Sequence, residues 1–235
     1  RALNKYARLM DFENGSSWID IEPHDFSRFM YKDSLKIKPD GTSEGYSLQV
    51  TDGYHALNQR NGIEMLSPVD IFKEITHPIE STYATNVEVS NKENLSEKLE
   101  VKFSLENRSQ KINDKIYFNP FSFKFFTENP FHSESRSYPI DFGYKDSYLY
   151  MASIEIPEGY KITSLPETKN LRIQGNEASL RFTATKFQEN IVKIQCLLSF
   201  RRSLYPTEFY DTLRKFFDQI LEVQSQSLIV IEENT

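Results

Sequence analysis

Residues 99–106, with the sequence LEVKFSLE, alternate strictly between apolar and polar side chains. Leu99, Val101, Phe103 and Leu105 would face one way, and the charged and polar residues between them would face the other. A period of two is typical of an antiparallel strand that has one face in the core and one face in water. This stretch therefore predicts a β-rich fold built from half-buried strands.

The same alternation appears nearer the N-terminus. Apolar residues recur at every second position in residues 35–37 and again in residues 46–50. Between these segments, Pro39-Asp40-Gly41 combines a proline of fixed φ with a glycine that tolerates a positive φ. Together these features predict a hairpin of two strands joined by a turn.

Further short strands are predicted along the rest of the chain, where turns containing proline or glycine separate many of them. The predicted strands lie at residues 18–21, 112–125, 138–142, 148–156, 170–174, 179–185, 191–201 and 228–231. The last is apolar on both sides, which predicts a central or covered position in its sheet. Short strands at this spacing favour a sandwich over βαβ units.

Two segments have a helical pattern. In the first, Ser67 can cap a helix of about ten residues that ends at Pro78. The second and stronger one opens at Pro206 and has apolar residues at helical spacing up to Val223. The predicted fold class is therefore mainly β (α+β), with two antiparallel β-sandwich-like domains that each carry one helix, the stronger helix near the C-terminus.

A tripeptide repeat suggests where the chain divides. Residues 119–121 and 129–131 both have the sequence Asn-Pro-Phe. Proline cannot donate to a strand ladder and restricts the residue before it, so both sites are predicted strand ends or corners. We place a domain boundary at the second site, which gives domains at residues 1–128 and 129–235.

Composition excludes several classes of protein. Hydrophobic residues make up 38% of the 235 residues and aromatic residues 14%, whereas disordered chains are poor in aromatic residues. The apolar runs are only a few residues long, while a membrane-spanning helix needs about 20, so no transmembrane segment is predicted. The net charge of −6 provides no basic field for nucleic acid.

The sequence contains one cysteine, Cys196, which excludes an intrachain disulfide framework. It lies on the apolar face of the strand predicted at residues 191–201, where burial would raise the pKa of the thiol. Free cysteine is among the most buried residue types. We therefore predict a structural role for Cys196 and not a nucleophilic one.

The histidines are isolated from one another in the sequence, at His24, His55, His77 and His132. None of them has the His-x-His or His-Glu-x-x-His spacing that would bind a metal from one element. No pair of catalytic carboxylates can be nominated either. We therefore predict no metal, no cofactor and no enzymatic activity for this chain.

Aromatic residues are densest between Tyr117 and Phe131, and two interpretations of them remain open. The rings could fill the core, an interpretation that the preference for phenylalanine over tyrosine and tryptophan favours. Alternatively, Tyr117, Phe121, Phe123 and Phe131 could form an exposed platform for a glycan or protein ligand. Burial of these rings would argue against the platform.

A family resemblance extends over nearly the whole chain and is most specific from residue 129 onwards. The motifs that carry it are Trp18-Ile19-Asp20, Asp40-Gly41, Gly53-Tyr54-His55-Ala56-Leu57 with Arg60, Ile116-Tyr117-Phe118-Asn119-Pro120, Asn129-Pro130-Phe131 with Arg136, Tyr138-Pro139-Ile140-Asp141-Phe142, Ile156-Pro157-Glu158-Gly159-Tyr160, and Tyr205-Pro206 through Phe216-Phe217. With these motifs the chain resembles the C-terminal region of bacterial transglutaminase-like proteins. Members of that family are usually exported by Gram-negative bacteria, and a papain-like core precedes their β-rich C-terminal region.

The resemblance implies a noncatalytic accessory region that is periplasmic or extracellular. Its partner would be a transglutaminase-like core upstream of Arg1, and the Cys, His and Asp of that core match no position here. The chain begins at Arg1 and not at methionine, which we expect of a piece of a longer protein.

Two alternatives have different requirements. A carbohydrate- or peptide-binding β-sandwich would need the exposed rings described above. An independent hydrolase would need His55 or His132 beside Cys196 or beside paired carboxylates.

Overall fold

The computed structural model describes residues 6–67, 70–71 and 82–234, and strands dominate this part of the chain. The strands are β1 (Tyr6–Asp11), β2 (Gly15–Asp20), β3 (Phe26–Ile37), β4 (Thr42–Thr51), β5 (Thr82–Ser90), β6 (Leu99–Arg108), β7 (Gln110–Ile112), β8 (Lys115–Phe118), β9 (Ile140–Asp141), β10 (Lys145–Glu155), β11 (Tyr160–Ser164), β12 (Lys169–Arg172), β13 (Ala178–Gln188), β14 (Ile191–Phe200), β15 (Leu204–Tyr205) and β16 (Ile229–Glu233). The α-helices described in full are α1 (Gly53–Ile63) and α2 (Tyr210–Gln226). The predicted mainly β class is confirmed, with the longer helix near the C-terminus. None of the helices within the described ranges is long and apolar enough to cross a bilayer.

The largest sheet has eight strands in the order β12-β13-β14-β10-β3-β4-β6-β5. Neighbouring strands are antiparallel except for β3 and β10, which pair in parallel from Phe26↔Lys145 to Lys36↔Glu155. The predicted hairpin is confirmed as β3 and β4, and the strand predicted at residues 99–106 is confirmed as β6. Gly41, at φ +86°, closes the β3–β4 turn by donating its N–H to the Lys38 carbonyl.

A second sheet has the order β11-β16-β8-β7, so β16 is central, as its two-sided apolar sequence predicted. Ile116, Phe118, Ile229 and Ile231 of this sheet belong to the same buried cluster as the inner face of the large sheet. The apolar side of α2 joins that cluster through Leu213, Phe216, Phe217, Ile220 and Val223. The core therefore lies between the large sheet and a second layer formed by α2 and the smaller sheet.

The large sheet continues across the predicted domain boundary. Strand β3 lies before residue 128 and strand β10 lies after it, and the two strands pair over eleven consecutive positions. Residues from both sides of the boundary also share one core cluster. The division into residues 1–128 and 129–235 stays a prediction about domains, and the tertiary structure joins the two parts by backbone hydrogen bonds.

Most of the helix predicted between Ser67 and Pro78 lies outside the described residues. Within them, Asp70 and Ile71 are helical, and the Asp70 N–H donates to Ser67 Oγ at 3.4 Å. The structure adds α1, which the sequence pattern did not predict, since its buried side chains are only Ala56, Arg60 and Ile63.

Arg60 explains how a helix with so little apolar surface is held in place. Its guanidinium donates to the backbone carbonyls of Asn91, Asn94 and Glu97 at 2.8–3.3 Å. One buried cation therefore satisfies three carbonyls in the loop between β5 and β6, and a neutral side chain could not replace the planar fork of donors.

The prediction of a strand at residues 112–125 was wrong in its phenylalanine-rich part, residues 119–125. Strand β8 ends at Phe118, and residues 119–131 form an irregular segment, called here the strap, with a single bridge position at Phe123. Part of its backbone forms hydrogen bonds with α2. Gln224 accepts from the Phe125 N–H and donates to the Phe126 carbonyl.

The two Asn-Pro-Phe repeats are the points where the strap is tied to α2. Asn119 accepts from the Phe121 N–H at 3.0 Å and donates to the Gln224 carbonyl at 3.0 Å. Asn129 accepts from the Phe131 N–H at 3.0 Å and donates to the Arg214 carbonyl at 2.9 Å. The predicted corners are confirmed, and each asparagine joins its own turn to the helix.

Candidate interaction surface

The rings nominated for an exposed platform lie mostly inside the molecule. Phe121, Phe123 and Phe131 are 1%, 3% and 6% exposed, and Tyr117 is half-buried. The Phe123 ring centroid lies 3.9 Å from that of Tyr31 on β3. Three of the four rings therefore lack the exposure that the platform prediction required. The strap turns Phe121 and Phe123 onto the inner face of the large sheet, and it turns Phe131 onto α2.

Cys196 is buried, as predicted, opposite Tyr150 on one neighbouring strand and Phe182 on the other. Burial raises the pKa of its thiol to about 12. A thiol with this pKa is almost entirely protonated at neutral pH, and the thiolate is the nucleophilic form. Cys196 therefore fills core space.

Among the histidines that the structure describes, His55 lies beside a carboxylate and several aromatic rings, and His77 lies outside the described residues. Its Nε2 lies 3.0 Å from Asp146 Oδ1, and both side chains are about one-tenth exposed. The ring meets Phe29, Tyr144 and Tyr148 edge to face. This arrangement joins α1 to β10 through one histidine and one carboxylate.

The set required for an independent hydrolase is not formed by the residues named for it. His55 contacts the single carboxylate of Asp146, and His132 is exposed. Among residues 6–67, 70–71 and 82–234, no group of three or more histidine, cysteine, aspartate or glutamate side chains is placed to hold a metal ion.

A buried carboxylate lies at the centre of the large sheet. Asp33 of β3 is 5% exposed and accepts hydrogen bonds from Ser47 Oγ at 2.5 Å, from Ser122 Oγ and from the Tyr150 hydroxyl at 2.7 Å. Burial raises the pKa of Asp33 to about 6, although the three hydroxyl donors oppose this shift. Sequence reasoning missed this site, but a signal existed, because Asp33 has the same strand parity as the buried Leu35.

A large exposed apolar surface lies on the hairpin of β1 and β2, called here the arm (residues 6–20). Among the described strands, β1 and β2 pair only with each other, and all but one of their residues are exposed. Phe12 at its tip is 96% exposed, and Trp18 is 66% exposed. Tyr6, Leu9, Met10 and Ile19 add further exposed apolar surface.

The tip of the arm is held in one conformation. Asp11 Oδ1 accepts from the backbone N–H groups of Glu13 and Asn14 at 2.9 and 3.0 Å. Gly15 completes the turn at φ +90°, a conformation that favours glycine. Hydrogen bonds from Asn14 and Glu13 lower the pKa of Asp11. The turn therefore presents Phe12 from a defined position.

The two faces of the arm present different surfaces. The register puts Tyr6, Arg8, Met10 and Trp18 on one face, and Ala7, Leu9 and Ile19 on the other. On the first face the Arg8 guanidinium carbon lies 5.4 Å from the Trp18 ring centroid, and Arg8 Nε donates to Ser16 Oγ at 2.9 Å. This contact orients the indole while leaving most of it in solvent.

The chain that follows the arm is anchored to the body of the protein. Ser203 Oγ donates to Glu22 Oε1 at 2.8 Å, and Lys145 Nζ donates to the His24 carbonyl at 3.1 Å. The predicted strand at residues 18–21 is confirmed as part of β2. Its projection from the body was not predicted, because alternation of side chains does not show whether a face has a partner.

Comparison with known families identifies part of the chain. Residues 114–230 match the profile of DUF3858, described as a domain of unknown function with solved structure. The match runs from the β7–β8 turn into β16, covers just under half of the chain and begins upstream of the predicted boundary at residue 129. No curated protein and no solved structure matches the chain.

Proposed function

We propose that this chain is a noncatalytic accessory and interaction region of a transglutaminase-like protein. In this proposal the catalytic core lies upstream of Arg1, and the arm is the element that contacts it. The accessory region would shape access to the core and would be periplasmic or extracellular, as the family resemblance implies.

The observation that carries this proposal is the exposure of the arm. A two-stranded hairpin is at best marginally stable in water, and a contiguous exposed apolar patch marks an interaction surface. Phe12, Met10 and Trp18 are more than half exposed on an element with an ordered turn. Covering these side chains with a protein surface would remove apolar area from water, which is favourable by roughly 25 cal/mol per Å².

The family resemblance and the surroundings of Cys196 and His55 also support the proposal. The family resemblance extends beyond the matched DUF3858 domain on its N-terminal side and includes Trp18-Ile19-Asp20 within the arm. The thiol of Cys196 is buried and protonated, and His55 pairs with a single carboxylate. The alternative, a glycan or peptide platform on the rings of residues 117–131, receives no support from the three buried phenylalanines.

Two measurements test the proposal. The natural reading frame that encodes residues 1–235 is expected to encode a transglutaminase-like core upstream of them. In that longer protein, backbone amides of the arm are expected to exchange hydrogen more slowly than in residues 1–235 alone. Phe12→Ser and Trp18→Ser should each restore fast exchange, whereas Met65→Ser, at a position 92% exposed outside the arm, should not.

Two outcomes would contradict the proposal. One is a reading frame without such a core, and the other is an arm that exchanges equally fast in both proteins. Full transglutaminase activity after deletion of residues 1–235 would also count against a role in shaping access to the core.

A further inference from the structure

The outer face of the large sheet, opposite the core, contains an open depression of about 660 Å³. A row of side chains runs across its floor from β6 to β10, and the register places them side by side as Ser104, Tyr46, Ser34 and Ser153. We call this row and its borders the trough. Tyr46 is 74% exposed and stands between small hydroxyl side chains.

Charged residues border the row on both sides. One border contains Glu106, Glu44, Lys36 and Glu155, and the other contains Glu88, Lys102 and Lys32. Lys193 lies opposite Ser153 at the end of the row. Lys36 Nζ lies 2.7 Å from Glu155 Oε1, and Lys38 Nζ lies 2.5 Å from Glu44 Oε2. Carboxylates and ammonium groups are therefore close to balance, and the trough provides acceptors and donors without a strong field of either sign.

The backbones of β3 and β4 approach each other closely beside Tyr46 because residue 45 is a glycine. Gly45 pairs with Leu35, and a Cβ at this position would lie 1.9 Å from the Ser34 carbonyl oxygen. Any other residue would therefore push β3 and β4 apart. The floor of the trough depends on this contact.

The position of the trough excludes two kinds of ligand. A peptide that binds by strand addition needs a free sheet edge, but the strands of the row, β3, β4, β6 and β10, are each paired on both sides, and the free edge of β5 lies beyond the row. Nucleic acid and anionic polysaccharides need an excess of cations, which the bordering residues do not supply.

We propose that the trough binds a neutral oligosaccharide. The face of a sugar ring would stack on Tyr46, while its hydroxyl groups exchange hydrogen bonds with Ser34 and the bordering carboxylates. Ser104 Oγ accepts from Asn86 Nδ2 at 3.1 Å and Ser153 Oγ accepts from Lys193 Nζ at 2.8 Å, so these two hydroxyls would donate to the sugar. Tyr83 lies opposite Glu106 on the same face and is 68% exposed. Its Cα lies roughly 12 Å from that of Tyr46 by strand spacing and rise, so an extended chain could contact both rings.

The proposal is independent of the arm and of a catalytic core. It is tested by NMR titration of residues 1–235 with four neutral hexasaccharides: cellohexaose, chitohexaose, maltohexaose and xylohexaose. At least one is expected to bind saturably and to shift amide signals of β3, β4 and β6 around Tyr46.

Matched variants locate the site. Tyr46→Ala should weaken binding at least about tenfold, which corresponds to one stacked ring at about 1.4 kcal/mol. Tyr46→Phe should keep most of the affinity because it retains the ring. Tyr138→Ala, which removes a tyrosine that is 77% exposed outside the trough, should bind like the unaltered chain. Tyr46 is exposed, so its truncation leaves the core intact, and a thermal melt checks this.

Three results would overturn the proposal. One is no saturable binding of any of the four sugars at millimolar concentration. Another is binding that Tyr46→Ala leaves unchanged. The third is a tetralysine peptide or a heparin hexasaccharide that shifts the trough signals when neutral sugars do not, which would assign the surface to a charged ligand.

Discussion

One of the three hydroxyl partners of Asp33, that of Tyr150, also faces a backbone carbonyl, and this leaves the network one proton short. The single proton of the Tyr150 hydroxyl faces both Asp33 Oδ2 at 2.7 Å and the Pro120 carbonyl oxygen at 2.5 Å. If Asp33 is protonated, it can donate to Tyr150, and Tyr150 can then donate to Pro120. The count of donors thus agrees with the raised pKa of Asp33, which has burial as its largest cause.

This network predicts a pH dependence of stability. The pKa of Asp33 rises from 3.8 to about 6 on folding, so its favourable contribution is full below pH 4 and is lost as the pH rises through 6. We expect Asp33→Asn, which imitates the protonated form, to gain roughly 3 kcal/mol relative to the unaltered chain between pH 4 and pH 7. Urea unfolding at several pH values measures this difference.

The matched control is Asp25→Asn, which changes an exposed carboxylate. Its stability should follow that of the unaltered chain at every pH. Parallel profiles for Asp33→Asn and the unaltered chain would show that the buried carboxylate does not titrate in this range.

At the scale of elements, the strap and α2 depend on each other. The Gln224 carbonyl lies in the last turn of α2, where carbonyls have no partner inside the helix, and Asn119 supplies a donor from the strap. Asn129 makes the corresponding contact nearer the start of the helix. These links orient the strap so that its phenylalanines enter the core.

Removing either link should destabilise the protein. Asn119→Ala and Asn129→Ala are each expected to lower the free energy of unfolding by about 1–3 kcal/mol, because part-buried backbone groups of the strap and α2 lose a hydrogen bond. Asn119→Asp keeps the acceptor for Phe121 but cannot donate to Gln224, so it isolates the link to the helix. Chemical denaturation measures these changes, with Asn170→Ala at an exposed strand position as the control. Values equal to that control would mean that the asparagines do not hold the strap.

At the scale of the whole molecule, the parallel pairing of β3 and β10 joins the two parts of the chain. A parallel pair requires a long crossover, and here residues 38–144 separate the paired strands. We expect the large sheet to unfold as one cooperative unit. In hydrogen exchange across a urea series, peptides from β3 and β10 should open together. Separate opening of the two strands would support independent domains divided at residue 129.

The arm and the trough illustrate how far function could be predicted from the sequence. Trp18 and Tyr46 both lie in segments with a recognisable strand pattern, but the pattern does not distinguish a ring in the core from one in solvent. The rings of Phe121 and Phe123 were open to both interpretations for the same reason. Exposure depends on which elements cover a face, and local periodicity contains no information about that.

The sequence by itself determined the mainly β class, the β3–β4 hairpin, β6, the C-terminal helix and the burial of Cys196, because side-chain period and turn residues act over a few neighbouring positions. Only the tertiary structure decided the pairing of β3 with β10, the attachment of the strap to α2, the buried network of Asp33 and the projection of the arm. Each of these depends on contacts between residues far apart in the chain, which form only when the elements pack together.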